Sequence, residues 1–264
     1  NGDCFFCVIR DALKYAGIDI SVSKMRDMLS SKVDEDLYYN YKEQYDMYSS
    51  TLESEKKRLR ALNKTYRMLE KDAKSAFDSE VKKEKMSEMD KKLKETKKIK
   101  EELKFTEELL QDFIYMADIS NVEEFKKYIK SNNFWADTWV ISTIEILLNI
   151  KCILLSSDAY DQDDKDNVVH CNQLTDRMLI EKGEFNPDYY IITDYNGYHY
   201  QLIRYGRKGI FTFNELPYDL KNLIVYKCLE GDNGPYNIIP EFSKLKNDIH
   251  NGGKKETNKI DLDN

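Results

Sequence analysis

Tyr189-Tyr190-Ile191-Ile192-Thr193-Asp194-Tyr195-Asn196-Gly197-Tyr198-His199-Tyr200-Gln201-Leu202-Ile203-Arg204-Tyr205 is the stretch that decides the fold class. Two runs rich in aromatic and β-branched residues, Tyr189 to Asp194 and Tyr198 to Tyr205, flank Asn196-Gly197. That dipeptide tolerates the positive φ angles of a two-residue hairpin turn, so the stretch predicts a pair of antiparallel strands. Working upstream, Lys151 to Ser156 is a short apolar run with strand character, followed by an Asp-rich loop. Residues 139 to 149, with Trp139, Val140, Ile141, Ile144, Leu147 and Leu148, are apolar almost all round and predict a buried helix. Residues 4 to 16 set Phe5, Val8, Ile9, Ala12, Leu13 and Ala16 on one helical face and stop at Gly17. The expected fold class is therefore α+β, a small central sheet flanked by helices.

Between these segments the pattern changes. Glycine and proline punctuate structure, and neither occurs between Gly17 and Gly183, so the middle of the chain is expected to be mostly helical. Leu59, Leu62, Tyr66, Leu69, Ala73 and Ala76 recur at helical spacing, and Met86, Met89, Leu93, Leu103 and Leu110 suggest a second seam. Asp78 and Ser79 are candidate cap residues between the two. A long helical hairpin, inserted over residues 33–115, is the simplest reading. Residues 41–110 carry 19 Lys plus Arg against 16 Asp plus Glu, so this arm is densely charged yet nearly neutral. A solvated face is the ordinary meaning of such a mixture, and a protein partner docking on the arm is the alternative. The arm divides a core formed by residues 1–32 and 116–240. From about Glu241 the chain is polar with Gly252-Gly253, and residues 241–264 are expected to form a disordered tail.

Composition excludes several function classes. Over 264 residues the net charge is −7, which argues against nucleic acid as a partner, because phosphate contacts need a basic face. No stretch approaches the ~18 consecutive apolar residues of a membrane span, and Asn1-Gly2-Asp3-Cys4 lacks a basic leader region. The expectation is a soluble, cytoplasmic protein. Five cysteines at 4, 7, 152, 171 and 228 make a poor disulfide framework, so free thiols in a reducing compartment are expected. Cys4-x-x-Cys7 has no second pair and no strand before it, so neither a metal site nor a redox pair is assigned, and Cys7 is expected to be an ordinary core residue.

Cys4 is different because it stands at the start of a predicted helix. Unpaired amides and the helix dipole there favour a thiolate and can stabilise an oxyanion beside the sulfur, while Gly2 would let a substrate approach closely. A small buried cysteine is the bland alternative. What raises Cys4 above it is a candidate partner: of three histidines, His199 begins a predicted core strand directly after a tight turn, whereas His170 lies near a loop and His250 in the apparent tail. A rigidly held imidazole is what cysteine catalysis requires of its base.

These residues carry a resemblance. Asn1-Gly2-Asp3-Cys4-Phe5-Phe6 resembles the nucleophile signature of the ovarian-tumour (OTU) family of cysteine proteases, and His199-Tyr200 resembles their His-Tyr strand. Trp135-Ala136-Asp137 with the following apolar helix, and Leu148 to Ser156, look like the family's Trp-Gly/Ala-Asp helix and the strand behind it. The wording is most similar to OTU-like proteins of large DNA viruses, which would make the location host-cell cytoplasm. The resemblance implies a papain-type core and a deubiquitinase that cleaves isopeptide bonds at the C-terminal glycine of ubiquitin or a ubiquitin-like modifier, with no cofactor and no metal. It implies Cys4 as nucleophile, His199 as base, an oxyanion hole from Asn1, Asp3 and Cys4, and a substrate channel beside Gly2, Trp135 and Tyr198. Two positions depart from the family pattern. Asn1 stands where Asp is usual, and Gln201 stands where the family places the Asp or Asn that orients the histidine. Gln201 is the candidate orienter, with Asn196 and Asp194 as alternatives, and a dyad with no third residue is a further one. Two rival functions follow: a catalytically silent ubiquitin-binding module, or a protein whose work is done by the arm.

Overall fold

The antiparallel pair expected around Asn196-Gly197 is present, but Tyr195 pairs with Tyr200, so the connection is four residues long and not the expected two-residue turn. Gly197 is at φ +86°, a conformation that glycine adopts without strain, while Asn196 keeps a negative φ. In a computed structural model, which describes residues 2–171, 183–197, 199–230 and 234–252, these strands are β2 (Tyr189–Tyr195) and β3 (Tyr200–Leu202). Their register pairs Thr193 with Leu202, Asp194 with Gln201 and Tyr195 with Tyr200. On the other side β2 runs parallel to β1 (Ile150–Leu155), from Ile150 opposite Tyr189 to Leu155 opposite Asp194. The result is a three-stranded mixed sheet in the order β1-β2-β3.

The helices are α1 (Cys4–Lys14), α2 (Val22–Ser30), α3 (Glu35–Ser75), α4 (Ser79–Gln111), α5 (Val122–Lys130), α6 (Thr138–Leu148), α7 (Ser157–Asp161), α8 (Tyr218–Ile224) and α9 (Pro240–Gly252). No helix among the described residues is long and apolar enough to cross a membrane. The chain divides into two compact units, residues 1–32 with 126–264, and residues 33–125.

In the first unit α1 buries Phe5, Phe6, Val8, Ile9, Ala12 and Leu13, the face set by its three-four spacing, and packs against α2 and β3. Each large side chain so buried contributes about 1.5–3 kcal/mol of transfer free energy. α6 begins where the Asp137 carboxylate accepts from the Val140 amide at 2.9 Å, and ends at Asn149 in the left-handed conformation. It buries residues on every side, Glu145 among them. That carboxylate accepts two bonds from Lys151 Nζ, at 3.0 and 3.1 Å, and one from the Cys152 amide at 2.7 Å. A buried ion pair is tolerable only when its remaining lone pairs are occupied in this way.

Three expectations are corrected in this unit. Residues 240–252 are not a disordered tail but α9, because Phe242, Leu245 and Ile249 recur at helical spacing and Phe242 lies fully buried beside Tyr190 and Tyr236. Residues 253–264 lie outside the described residues. The cysteines are not all free, since Cys171 and Cys228 are joined in a disulfide between Cα atoms 5.2 Å apart. Fifty-seven positions separate them in sequence, and only packing brings them within reach. Finally, Cys7 is half-buried on α1 and not a residue of the core.

In the second unit α3 and α4 pack along each other as an antiparallel hairpin. Asp78 caps α4 by accepting from the Glu80 amide at 2.8 Å. Leu62, Ile99 and Leu103 form the buried seam with Leu52 and Leu59 against them. On α4 the seam runs through Thr96, Ile99, Leu103, Thr106 and Leu110, whereas Met86 and Leu93, which the sequence reading placed in it, are exposed. Two threonines at seam positions broke the apolar pattern and shifted its apparent register. The base of this unit holds an aromatic cluster in which Phe125 packs 5.1 Å from Tyr41 and Phe113 packs 5.9 Å from Tyr41. Those contacts carry the unit to residue 125, past the boundary of 115 expected from the charge pattern.

Candidate active site

Cys4 is the first residue of α1 and is half-buried. The backbone amides of Cys4, Phe5 and Phe6 have no acceptor within the helix, since the first intrahelical-type bond is Cys7 N–H to Asp3 O at 2.8 Å. Asp3 occupies the N-cap position, but its carboxylate makes no cap bond to the helix.

The neighbouring residue Gly2 is buried, and its amide donates to the Asn132 carbonyl at 2.8 Å. A Cβ on Gly2 would collide with the Phe134 carbonyl oxygen and come within 2.8 Å of that of Asn132. The room that a glycine leaves here is therefore filled by the chain's own backbone. A glycine is thus required at position 2 for close approach of two protein segments, whatever its part in the expected substrate channel. Trp135, next along that second segment, is 47% exposed. Asn1 and Tyr198, expected in the oxyanion hole and the channel, lie outside the described residues.

His199 immediately precedes β3 and is exposed. Its backbone is held by Asn196, whose Oδ1 accepts from the His199 amide at 2.9 Å while the Asn196 amide donates to His199 O at 3.4 Å. Asn196 thus sets the strand entry of His199 and its Oδ1 is not turned to the imidazole. Asp194 is occupied as well, accepting from the Ser157 amide and hydroxyl, each at 2.8 Å. Gln201 lies two residues along the strand from His199 and is exposed like it, while the intervening Tyr200 points into the core. Among the described residues the His199 imidazole makes no hydrogen bond to Gln201 or to the Cys4 thiol.

What joins the two candidate residues is the packing of the elements that carry them. Phe5, directly after Cys4, meets Tyr200, directly after His199, edge-to-face with centroids 5.3 Å apart. Tyr200 stacks on Tyr195 at 4.5 Å and its hydroxyl donates to the Ala136 carbonyl at 3.3 Å. Burial, foremost, and then Tyr195 and the Cys4 thiol push this phenol well above its ordinary range, so it stays a neutral donor. Tyr200 therefore ties the start of α1, the start of β3 and the Trp135-Ala136-Asp137 segment into one site. Arg26, a third organising residue, was not singled out from the sequence. Its position on the buried face of α2, three residues before Leu29, was the signal available, since an arginine on an apolar face must find buried acceptors.

No known protein-family model matches the chain, and no match is found among curated proteins or solved structures.

Proposed function

We propose that the chain is a thiol-dependent deubiquitinase of the OTU type, built on a papain-like core, with Cys4 as nucleophile and His199 as general base and acid. The single observation that supports it best is the Phe5–Tyr200 contact, because it brings the residue beside a helix-start cysteine against the residue beside a strand-start histidine. In this reading Cys4 Sγ adds to the carbonyl carbon of a ubiquitin C-terminal glycine and the carbonyl π pair moves to oxygen. Collapse of that oxyanion expels the lysine amine, which takes its proton from the His199 imidazolium. Water then hydrolyses the thioester. The catalytic pair closes by rotation of the exposed His199 side chain toward the half-buried Cys4, as catalytic hydrogen bonds are often long before substrate binds.

The unpartnered imidazole favours a second reading, a silent ubiquitin-binding module, since nothing among the described residues fixes the tautomer of His199. Ubiquitin carrying a C-terminal electrophile separates the two. Covalent capture at Cys4 is expected of the enzyme, whereas reversible binding without capture would mean the module. Binding to neither would shift the function to the helical arm.

A further inference from the structure

Arg26 is 2% exposed, and its guanidinium spends every arm on the segments around Cys4. Nε and Nη2 donate to Asp3 Oδ1 at 2.9 and 2.8 Å, Nη2 also reaches the carbonyls of Gly2 and Phe134 at 3.0 Å, and Nη1 donates to Ile129 O at 2.8 Å. The cation lies 4.3 Å over the Phe6 ring. One side chain thus ties the two residues before Cys4 to the segment that Gly2 touches.

The consequence falls on the start of α1. Aspartate is among the best N-cap residues because its carboxylate accepts from the second or third amide of the helix. Asp137 and Asp34 do so elsewhere in this chain, at 2.9 and 2.8 Å. Asp3 does not: its backbone is helical (φ −89°, ψ −6°) where those of Asp34 and Asp137 are extended, and its carboxylate is held by Arg26. The amides of Cys4, Phe5 and Phe6 are left without an acceptor among the described residues.

Building on the acyl-transfer reading above, we propose that Arg26 is a positioning residue for the Cys4 reaction: it holds the Asp3 carboxylate off the start of α1 and so keeps those amides open to the oxyanion that forms as Sγ adds to a carbonyl. When Arg26 is lost, Asp3 is released to rotate its backbone to the extended geometry of Asp34 and Asp137, where its carboxylate occupies the amides and sets a negative charge where the oxyanion must develop.

The test compares two reactions of the same thiol in the full chain carrying Cys7→Ser. Acylation by p-nitrophenyl acetate passes through an oxyanion, and alkylation by iodoacetamide does not. Arg26→Gln is expected to slow acylation by about 10²-fold, the usual effect of losing an oxyanion donor, while alkylation stays within a few-fold. Arg26→Gln with Asp3→Ala should then acylate at least roughly tenfold faster than Arg26→Gln alone, because no carboxylate remains to close the cap. Should Arg26→Gln melt the fold by circular dichroism, Arg26→Lys serves instead: a cation that still holds the Asp3 carboxylate is expected to keep acylation within a few-fold of the parent chain, and a selective loss of acylation there would overturn the proposal. Equal losses in both reactions, or no recovery in the double variant, would overturn the proposal. A parent chain that acylates with the small ester yet cleaves no ubiquitin substrate would instead defeat the deubiquitinase reading and leave the Arg26 clamp standing.

Discussion

α3 and α6 are both helices, yet α3 runs for 41 residues and buries only Tyr38, Tyr41, Leu62 and Ala73, whereas α6 runs for 11 and buries seven in succession from Trp139 to Glu145. The difference teaches where the stability of each unit resides. A long solvated helix is sustained by its length, a thin repeating seam and surface ion pairs such as Arg58–Glu95 and Lys56–Glu107, which solvent screens to a small contribution each. A short helix such as α6 owes its form to tertiary burial. Chemistry that needs ångström precision belongs on the second kind of support.

The sharpest test of this contrast is activity, which should reside wholly in the first unit. Cys4→Ala is expected to abolish cleavage of a fluorogenic ubiquitin C-terminal substrate with the circular dichroism spectrum unchanged, and residual turnover by the pure variant would remove Cys4 as nucleophile. His199→Ala should follow with a loss of roughly 10²–10⁴-fold, the range for a general acid and base. Activity within a few-fold of the parent chain would reject that role.

Stability gives the next break point. Ile144→Ala, at a fully buried position of α6, should cost about 2–5 kcal/mol in denaturant unfolding, while Leu93→Ala, exposed on α4, should stay within about 0.5 kcal/mol. Similar costs at the two sites would mean that the arm is packed against something the seam does not show.

The arm itself can be shortened. Lys56 and Glu107 pair at 3.0 Å, so the two helices are adjacent there and residues 57–106 can be replaced by a short flexible linker. The expected result is unchanged turnover of the minimal substrate, because loop closure depends only logarithmically on length. A folded, inactive product would show that the arm helps to build the site, and a selective loss on polyubiquitin would assign it substrate contacts.

The smallest effect concerns alkaline pH. Burial, and then the Glu145 carboxylate, push the Cys152 thiol well above its ordinary range. A thiol whose folded pKa is raised contributes stability that is fully present below its unfolded value of about 8.5 and is lost as pH rises toward the folded one. The parent chain should therefore lose stability relative to Cys152→Ala between pH 8.5 and 10, by at most ~1.4 kcal/mol per pH unit. Parallel curves for the two proteins would place the Cys152 thiol in contact with solvent.

Much of this architecture is written in short-range pattern. The antiparallel pair around Asn196-Gly197, the apolar face of α1, the all-round apolarity of α6 and the capped break at Asp78 each follow from one segment's own periodicity and turn chemistry, so each was legible residue by residue. α9 was missed because three apolar residues, Phe242, Leu245 and Ile249, are too few to outweigh a polar background until the pocket that receives Phe242 exists. Other features depend on groups distant in sequence and had no local signature. The Cys171–Cys228 bond is one, and the Phe134 carbonyl that makes Gly2 obligatory is another. The clearest case is Asp3. By itself, the sequence determined that a carboxylate stands at the start of α1 beside a cysteine. Only the tertiary structure decided that this carboxylate faces Arg26 and not the helix amides, because a buried guanidinium 23 positions away must satisfy its donors and Asp3 is the anion within reach.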